Sequence, residues 1–362
     1  MGNRVSNIRI EKINLLTDEI SSRLQDLFDD LEHRHPQFGL EWLKILSRYA
    51  RDSDDSACIF VADNSSGFAA LPLIISRGQE GRALGNFYTS LAEPATSTTE
   101  PTALLTALLS HLRIDEGLST LTLSPLDRKS AIYTPLLRAF QEAGWSGVHE
   151  FFCFGNWLYS VHGETWESYL KERPSRLRNT IDRKTRAFMR DGKGQLNVLS
   201  GGDKLAAAIE AYTSIYEHSW KRNEPHPEFI PQLIELAARK GWLRLGVATY
   251  EDKAIAGQIW LVADGTAYIF KLAYHPDFAH LSPGTLLTAH LMQHVMEQDG
   301  VGTVDYLSGD DAYKKDWMST RRERYGIAGY NNKSLRGAAQ LVVQKLSAFA
   351  RRLGLRKKRG DL

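Results

Sequence analysis

LRLGVATYEDKAIAGQIWLVADGTAYIFKLAYHPDFAHLSPGTLLTAHLMQHVMEQDGVGTVDYLSGDDAYKKDW, residues 243–317, carries most of what this chain says about its architecture. Two or three alternating apolar runs meet at turns, and a period of two marks strands with one buried face. Ser282-Pro283-Gly284-Thr285 then opens a long helical pattern over 283–297. A short strand, TVDYLSG, follows, and polar groups crowd just beyond its end. This order sets the N–H groups of a helix start beside a strand edge, a place that attracts a phosphate-bearing or acyl-bearing ligand.

Proline suits the first helical turn, where its missing N–H would have had no partner anyway. Ser282 is the candidate cap, and Gly284 permits a ligand to approach the backbone closely. The turn therefore reads either as a pyrophosphate or carboxylate seat, with Thr285 completing it, or as a helix cap with no ligand. In the strand, alternation puts Val304 and Tyr306 on one face and Asp305 and Leu307 on the other. Asp305 can accept a proton from an amine or hydroxyl nucleophile, or hold that nucleophile in place. Tyr313 can donate to an oxyanion or a leaving group, and Lys314 can neutralise a phosphate or carboxylate while Lys315 faces solvent. The competing reading is a surface turn whose charges satisfy one another.

The chain around this stretch is ordinary for a globular protein. Its 362 residues are enough for a sizeable core and for two domains, and 43% hydrophobic with 24% charged residues excludes a disordered or collagen-like class. Cys58 and Cys153 fall in apolar runs and read as buried thiols, not as a disulfide framework or a thiolate metal site. No run approaches the ~18–20 apolar residues of a membrane span, the N-terminus has no apolar signal core, and a cytoplasmic protein is expected. The charge is uneven. From Lys333 onward there are nine Lys/Arg and one Asp, so subtracting this +8 from the total of +2 leaves −6 for the rest.

Residues 15–49 read as helices interrupted at Pro36-Gln37-Phe38, and CIFVAD and FAALPLIIS read as a hairpin around Asn-Ser-Ser-Gly. Pro101 begins a helix to about 112, LSTLTLSPL is a strand, and a helix follows near 132–143. The same order returns 186 residues later: Ala62 and Ala70 map onto Ala248 and Ala256, and Ser119 maps onto Asp305. Element order and spacing favour two related domains, 1–155 and 156–330, followed by a basic helical tail, 331–362. Between the two sheet patterns, 166–191 is helical with Pro174 near an internal start, and amphipathic helices cover 205–220 and 229–240.

Arg173, Arg176, Arg178, Arg183, Lys184, Arg186 and Arg190 crowd the first of these helices, as a solvated face or as a surface for a polyanionic carrier, nucleotide phosphate or RNA. Trp220 and Lys221 close the second and either line a substrate mouth or form a core edge beside a solvated loop. His275, at a strand end, is a candidate base or a loop histidine. His290 and His294 share a helical face without the acidic residue of an HExxH zinc site, so no metal is expected. The tail helix, with Leu335, Leu341, Val342, Leu346 and Phe349, can dock on the body, meet an acidic partner or rest on an anionic membrane surface.

At residues 281–284, 305–309 and 313–317 the chain resembles the GNAT superfamily, and more narrowly the CelD/BcsL-like branch allied to the Fem-type transferases; PQFGLEWL and RLRNTIDRKTR suit the same group. The resemblance covers about residues 10–330. It implies an α/β (α+β) fold of tandem GNAT-like domains, each a mixed, mainly antiparallel sheet flanked by helices and splayed where an acyl thioester enters. It also implies transfer of an acyl group, from acyl-CoA or another acyl thioester, to an amine or hydroxyl on a small molecule or saccharide. Polysaccharide or cell-envelope metabolism is the setting, and acyl-carrier protein is a possible donor form. Asp305, Tyr313 and Lys314 become the catalytic candidates; Trp220, Lys221, Arg178 and His275 the substrate-binding ones; Ser282, Pro283, Gly284 and Thr285 the donor seat. SPGT departs from the family's loop, lacking its leading basic residue and full glycine pattern. Two rival classes remain: a non-catalytic scaffold or acceptor-binding module in envelope assembly, and a Fem-like transferase using aminoacyl-tRNA. The N-terminal domain, without a matching motif set, is expected to shape the acceptor cleft.

Overall fold

The protein is described by a computed structural model covering residues 8–52 and 54–352. Its elements run β1 (Arg9–Asn14), α1 (Ser22–Arg34), α2 (Leu40–Tyr49), β2 (Ser56–Asn64), β3 (Gly67–Ser76), β4 (Glu80–Ala83), β5 (Ala95–Thr96), α3 (Thr102–Ile114), β6 (Thr120–Asp127), α4 (Tyr133–Glu142) and β7 (Ser146–Ser160). They continue with α5 (Trp166–Lys171), α6 (Ser175–Phe188), β8 (Gly194–Leu199), α7 (Leu205–Glu217), α8 (Phe229–Arg239), β9 (Leu243–Tyr250), β10 (Lys253–Ala263) and β11 (Thr266–Tyr274). The last are α9 (Pro283–Glu297), β12 (Thr303–Asp305), α10 (Lys314–Trp317), β13 (Thr320–Tyr330) and α11 (Leu335–Arg352).

Two compact units result, and neither is one continuous piece of chain. The first takes the residues up to Leu31, Arg51–Cys153 and those from Arg324 onward; the second takes Glu32–Ala50 and Phe154–Glu323. In the first unit β1, β2, β3 and β4 are antiparallel neighbours, β4 pairs with β6 in parallel, and β6 pairs antiparallel with β13 over Arg324–Tyr330. The second unit repeats the pattern: β8, β9, β10 and β11 are antiparallel, β11 pairs with β12 in parallel, and β12 pairs antiparallel with the end of β7. The internal echo in the sequence is thus an echo of strand order. The sixth strand is exchanged, because the first unit closes on β13 and the second on β7.

Two hairpins of the second unit close through two-residue turns with positive φ at both positions: Glu251 and Asp252 (49° and 61°) and Asp264 and Gly265 (45° and 65°). Such turns match the twist of the flanking strands. Helices cover each sheet. Leu105, Leu108, Leu109 and Leu112 of α3 are fully buried with Phe60, Leu73 and Leu121 in one core; Leu287, Leu291, Met292 and Val295 of α9 are buried with Trp260, Ala267 and Val304 in the other. The segment Glu32–Ala50 belongs to the second unit through Trp42, whose ring meets Phe229 and Phe270 edge-on at 6.2 and 5.6 Å. Cys58 is buried, whereas Cys153 is only partly so.

Three strands were not legible in the sequence. β1 and β8 keep most of their side chains exposed or half-exposed, β8 alternates only through Leu196 and Val198, and β13 opens with Thr-Arg-Arg-Glu-Arg, so none carries a sustained apolar alternation. The 166–191 helix is two helices, broken where Pro174 denies an N–H to the ladder. β12 ends after three residues because Leu307 adopts φ 52° and turns the chain away.

Candidate functional site

β11 and β12 run side by side only over Thr266–Tyr268 and Thr303–Asp305. Beyond that β11 continues to Tyr274 while the chain after Asp305 leaves the sheet, so two parallel strands part into a wedge. A bulge shifts the register where β10 pairs with β11: Ile259 faces Lys271 and Trp260 faces Ile269. The helix that follows β11 is locked to β10 by a fully buried glutamine. Gln258 Nε2 donates to the Gly284 carbonyl at 2.9 Å and to Thr288 Oγ1 at 2.8 Å, and Gln258 Oε1 accepts from Trp260 Nε1 at 2.9 Å. The first-turn N–H groups of α9 have no intrahelical partners by construction, so a fixed helix start is a fixed set of donors.

Ser282 does not cap that helix through its side chain. It sits at φ 57°, ψ 44° as the left-handed end of the preceding 3-10 turn, Pro276–Leu281, and a capping serine needs an extended backbone. What approaches Gly284 closely is a protein ring: a Cβ there would lie 3.3 Å from Tyr274 Cδ1. Trp220, 52% exposed, packs on Tyr274 at 4.3 Å, so the predicted indole wall and the predicted donor seat meet at one ring. His275 is a capping histidine: its Nδ1 accepts from the Asp277 N–H at 3.3 Å, and its ring stacks on His218 at 5.8 Å. Lys184 of α6 donates to the His280 carbonyl, bringing to this loop the cation that its own sequence lacks.

Asp305 is 3% exposed and engaged on both oxygens. Oδ1 accepts from Asn156 Nδ2 at 2.6 Å and from the Leu307 N–H at 2.7 Å; Oδ2 meets Arg322 at 2.6 Å. Asn156 also donates to the Leu307 carbonyl at 2.7 Å and accepts from Arg322 Nε. The cluster pins the turn that opens the wedge. Lys314 is equally committed. Its buried ammonium donates to the Ser308 and Gly309 carbonyls at 2.6 and 3.1 Å and lies 3.2 Å from Asp311, and burial lowers its pKa. Tyr313 stays 42% exposed, edge-on to buried Tyr306 at 5.9 Å, and burial of its hydroxyl followed by the Asp311 charge raises its pKa.

Across the wedge Lys271 of β11 pairs with Glu224, and its ammonium lies 4.3 Å from the Tyr216 ring centroid. Tyr216 and Glu224 also line a cavity of about 340 Å³ between α7 and α8. Lys221 borders the same group: burial, then the like charge of Lys271, lowers its pKa to about 8 from 10.5. The folded value lies below the unfolded one, so the unfolded chain binds the extra proton between these values, and stability rises with pH through that window. Competitive labelling of amines against pH is expected to give Lys221 a midpoint near 8. A midpoint near that of an ordinary lysine would contradict the burial assigned to it.

Lys221, Lys314, Tyr313, Trp220 and the α9 start are therefore gathered in one unit, while Arg178 lies on the exposed face of α6. That helix borders its own cleft, lined by Asn179, Thr180, Asp182, Arg183, Arg186 and Arg190, with Arg186 paired to Asp182. Lys271, Glu224, Gln258, Asn156 and Arg322 escaped sequence reading. Gln258 offered a signal, as a lone amide inside an apolar strand; the others reach the site only through sheet pairing or loop return.

Residues 175–315 match the family described as acetyltransferase (GNAT) domain. No curated protein sequence matches the chain. Among solved structures the fold is similar to FemX (TM-score 0.58, 11% identity, covering 89% of this chain and 98% of that one). It is similar also to a conserved protein of unknown function from Bacteroides thetaiotaomicron (TM-score 0.55, 10% identity, 86% and 98% covered). A third is L-PGS from Bacillus licheniformis (TM-score 0.52, 12% identity, 91% and 99% covered). At such identities the likeness is one of fold.

Proposed function

We propose that this chain, a GNAT-superfamily protein with the fold of the Fem-type proteins, transfers an acyl group from an acyl thioester to an amine or hydroxyl acceptor. The observation that carries the reading is the parting of β11 from β12 beside a helix start that Gln258 holds fixed. The α9 N–H groups and Lys184 take the donor's phosphates, and the thioester lies along the free run of β11. The acceptor attacks the carbonyl carbon, the oxyanion is held by backbone donors, and the thiolate departs as the carbonyl re-forms. Tyr313, kept protonated by burial, supplies the leaving group's proton. Lys221, titrating near 8, takes the proton that the acceptor gives up. Asp305 is a positioning residue, because both of its oxygens are already occupied. Acyl-CoA is the preferred donor, with acyl-carrier protein as another form; the acceptor is a small molecule or saccharide.

Acyl-CoAs of increasing length, compared with CoA and ATP, are expected to raise the melting temperature. Ligand at a hundred times its Kd stabilises by about 2.7 kcal/mol. The Arg183, Arg186 and Arg190 cleft favours a second reading, in which the acyl group arrives on tRNA. Melts unmoved by every acyl-CoA, together with salt-sensitive tRNA binding that is lost on charge reversal of these arginines, would replace the first donor with the second. No response to either would favour a scaffold.

A further inference from the structure

α11 presents an apolar stripe on a helix whose orientation is already fixed. One side packs on the first unit: Leu341 lies over Gly147, where a Cβ would meet it at 2.3 Å. Gln344 bonds His149 at 2.9 Å, and Arg336 and Gln340 both reach Glu80 at 2.7 Å. Gly337 allows close approach to the Asn331 and Ser119 carbonyls, which a Cβ would meet at 2.3 and 2.5 Å. The opposite side carries Leu335, Val342, Leu346 and Phe349 at helical spacing, with Val343 beside them, and these are 94, 55, 63, 61 and 62% exposed. A surface helix docked by one face ordinarily turns polar residues outward, so this stripe lacks the partner its chemistry requires.

The surrounding charge identifies the partner. Lys333, Arg336, Lys345, Arg351 and Arg352 are basic, no Asp or Glu occurs from 333 to 352, and Arg356, Lys357, Lys358 and Arg359 follow. A second copy would bring a like-charged helix against this one, whereas an anionic bilayer surface complements it. No helix among the described residues is long and apolar enough to cross a membrane, which leaves the interfacial plane. We propose that α11 is an interfacial anchor, seating the stripe of Leu335, Val342, Leu346 and Phe349 in the outer layer of an anionic membrane while its basic residues meet the headgroups. The proposal stands on this helix alone and is independent of the chemistry at the wedge.

Sedimentation of the full chain with vesicles carrying about one-third phosphatidylglycerol in phosphatidylcholine should show binding that falls with salt and is weak on pure phosphatidylcholine. The variant V342E/L346E/F349E should lose at least about tenfold in partitioning with a nearly unchanged melt, because these side chains are more than half exposed in the free protein. Reversal at Lys345, Arg351 and Arg352 should cost about fivefold per charge and flatten the salt dependence. Three results would overturn the proposal: wild-type protein that ignores the anionic vesicles, a V342E/L346E/F349E variant that binds them as well as wild type, or a dimer in solution that this variant dissociates.

Discussion

Asp305→Ala should lower the melting temperature by about 6–12 °C. The substitution removes at once the carboxylate that Arg322, Asn156 Nδ2 and the Leu307 N–H share, leaving Asn156 its bond to the Leu307 carbonyl and Arg322 its bond to Asn156. Removing one member of a buried hydrogen-bonded pair costs about 3–5 kcal/mol, discounted here to roughly 3 because Arg322 is 34% exposed, and each kcal/mol moves a unit of this size by about 2–4 °C. Asp305→Asn keeps an acceptor for the Leu307 N–H and should fall about half as far. The pair of variants separates two roles. A positioning residue loses acyl transfer in step with the melt, mainly as a raised KM. A proton acceptor would lose kcat in the Asn variant by orders of magnitude, far beyond what the fall in its melt accounts for, and that outcome would restore Asp305 to the chemistry.

Gln258→Leu should be the second large loss. Leucine fills much of the same space but leaves Trp260 Nε1 without its acceptor inside a core where Gln258 and Trp260 are both fully buried, while the Thr288 hydroxyl keeps its bond to the Gly284 carbonyl. One stranded buried donor costs about 1–3 kcal/mol. The consequence for function is larger than for stability, because the released Gly284 carbonyl no longer ties α9 to β10. Donor affinity should fall at least about tenfold even at a temperature where the variant is fully folded. Equal affinity in the variant would mean that the helix start does not seat the donor.

The sequence was most informative where local rules govern. The span Pro283–Glu297 follows from a proline at N1 and a sustained apolar period, and the hairpins follow from alternation. The neighbourhood of Asp305, Tyr313 and Lys314 was legible because the three lie close in the chain. Their roles were not. The partners that occupy Asp305 come from Asn156 and Arg322, which only strand pairing and loop return bring near it. Lys314 was readable as a cation, but not as one spent on the Ser308 and Gly309 carbonyls. The Ser282 cap failed for a backbone reason: the 3-10 turn before α9 ends in a left-handed residue, and no side-chain pattern announces that.

The exchange of sixth strands has a consequence for the order in which the molecule is made. Thr120 of β6 waits for Tyr330 of β13, so during synthesis the first unit cannot close its sheet until residue 330 has left the ribosome. Through that interval β6, with Leu121, Leu123 and Leu126 turned to the core, exposes an unpaired edge to the crowded cytosol or to a chaperone. The second unit has its borrowed strand, β7, in hand before its own β12 is made. Vectorial folding thus runs backwards here: the half translated first is finished last, and a ribosome that stalls before residue 324 releases a chain with an open seam.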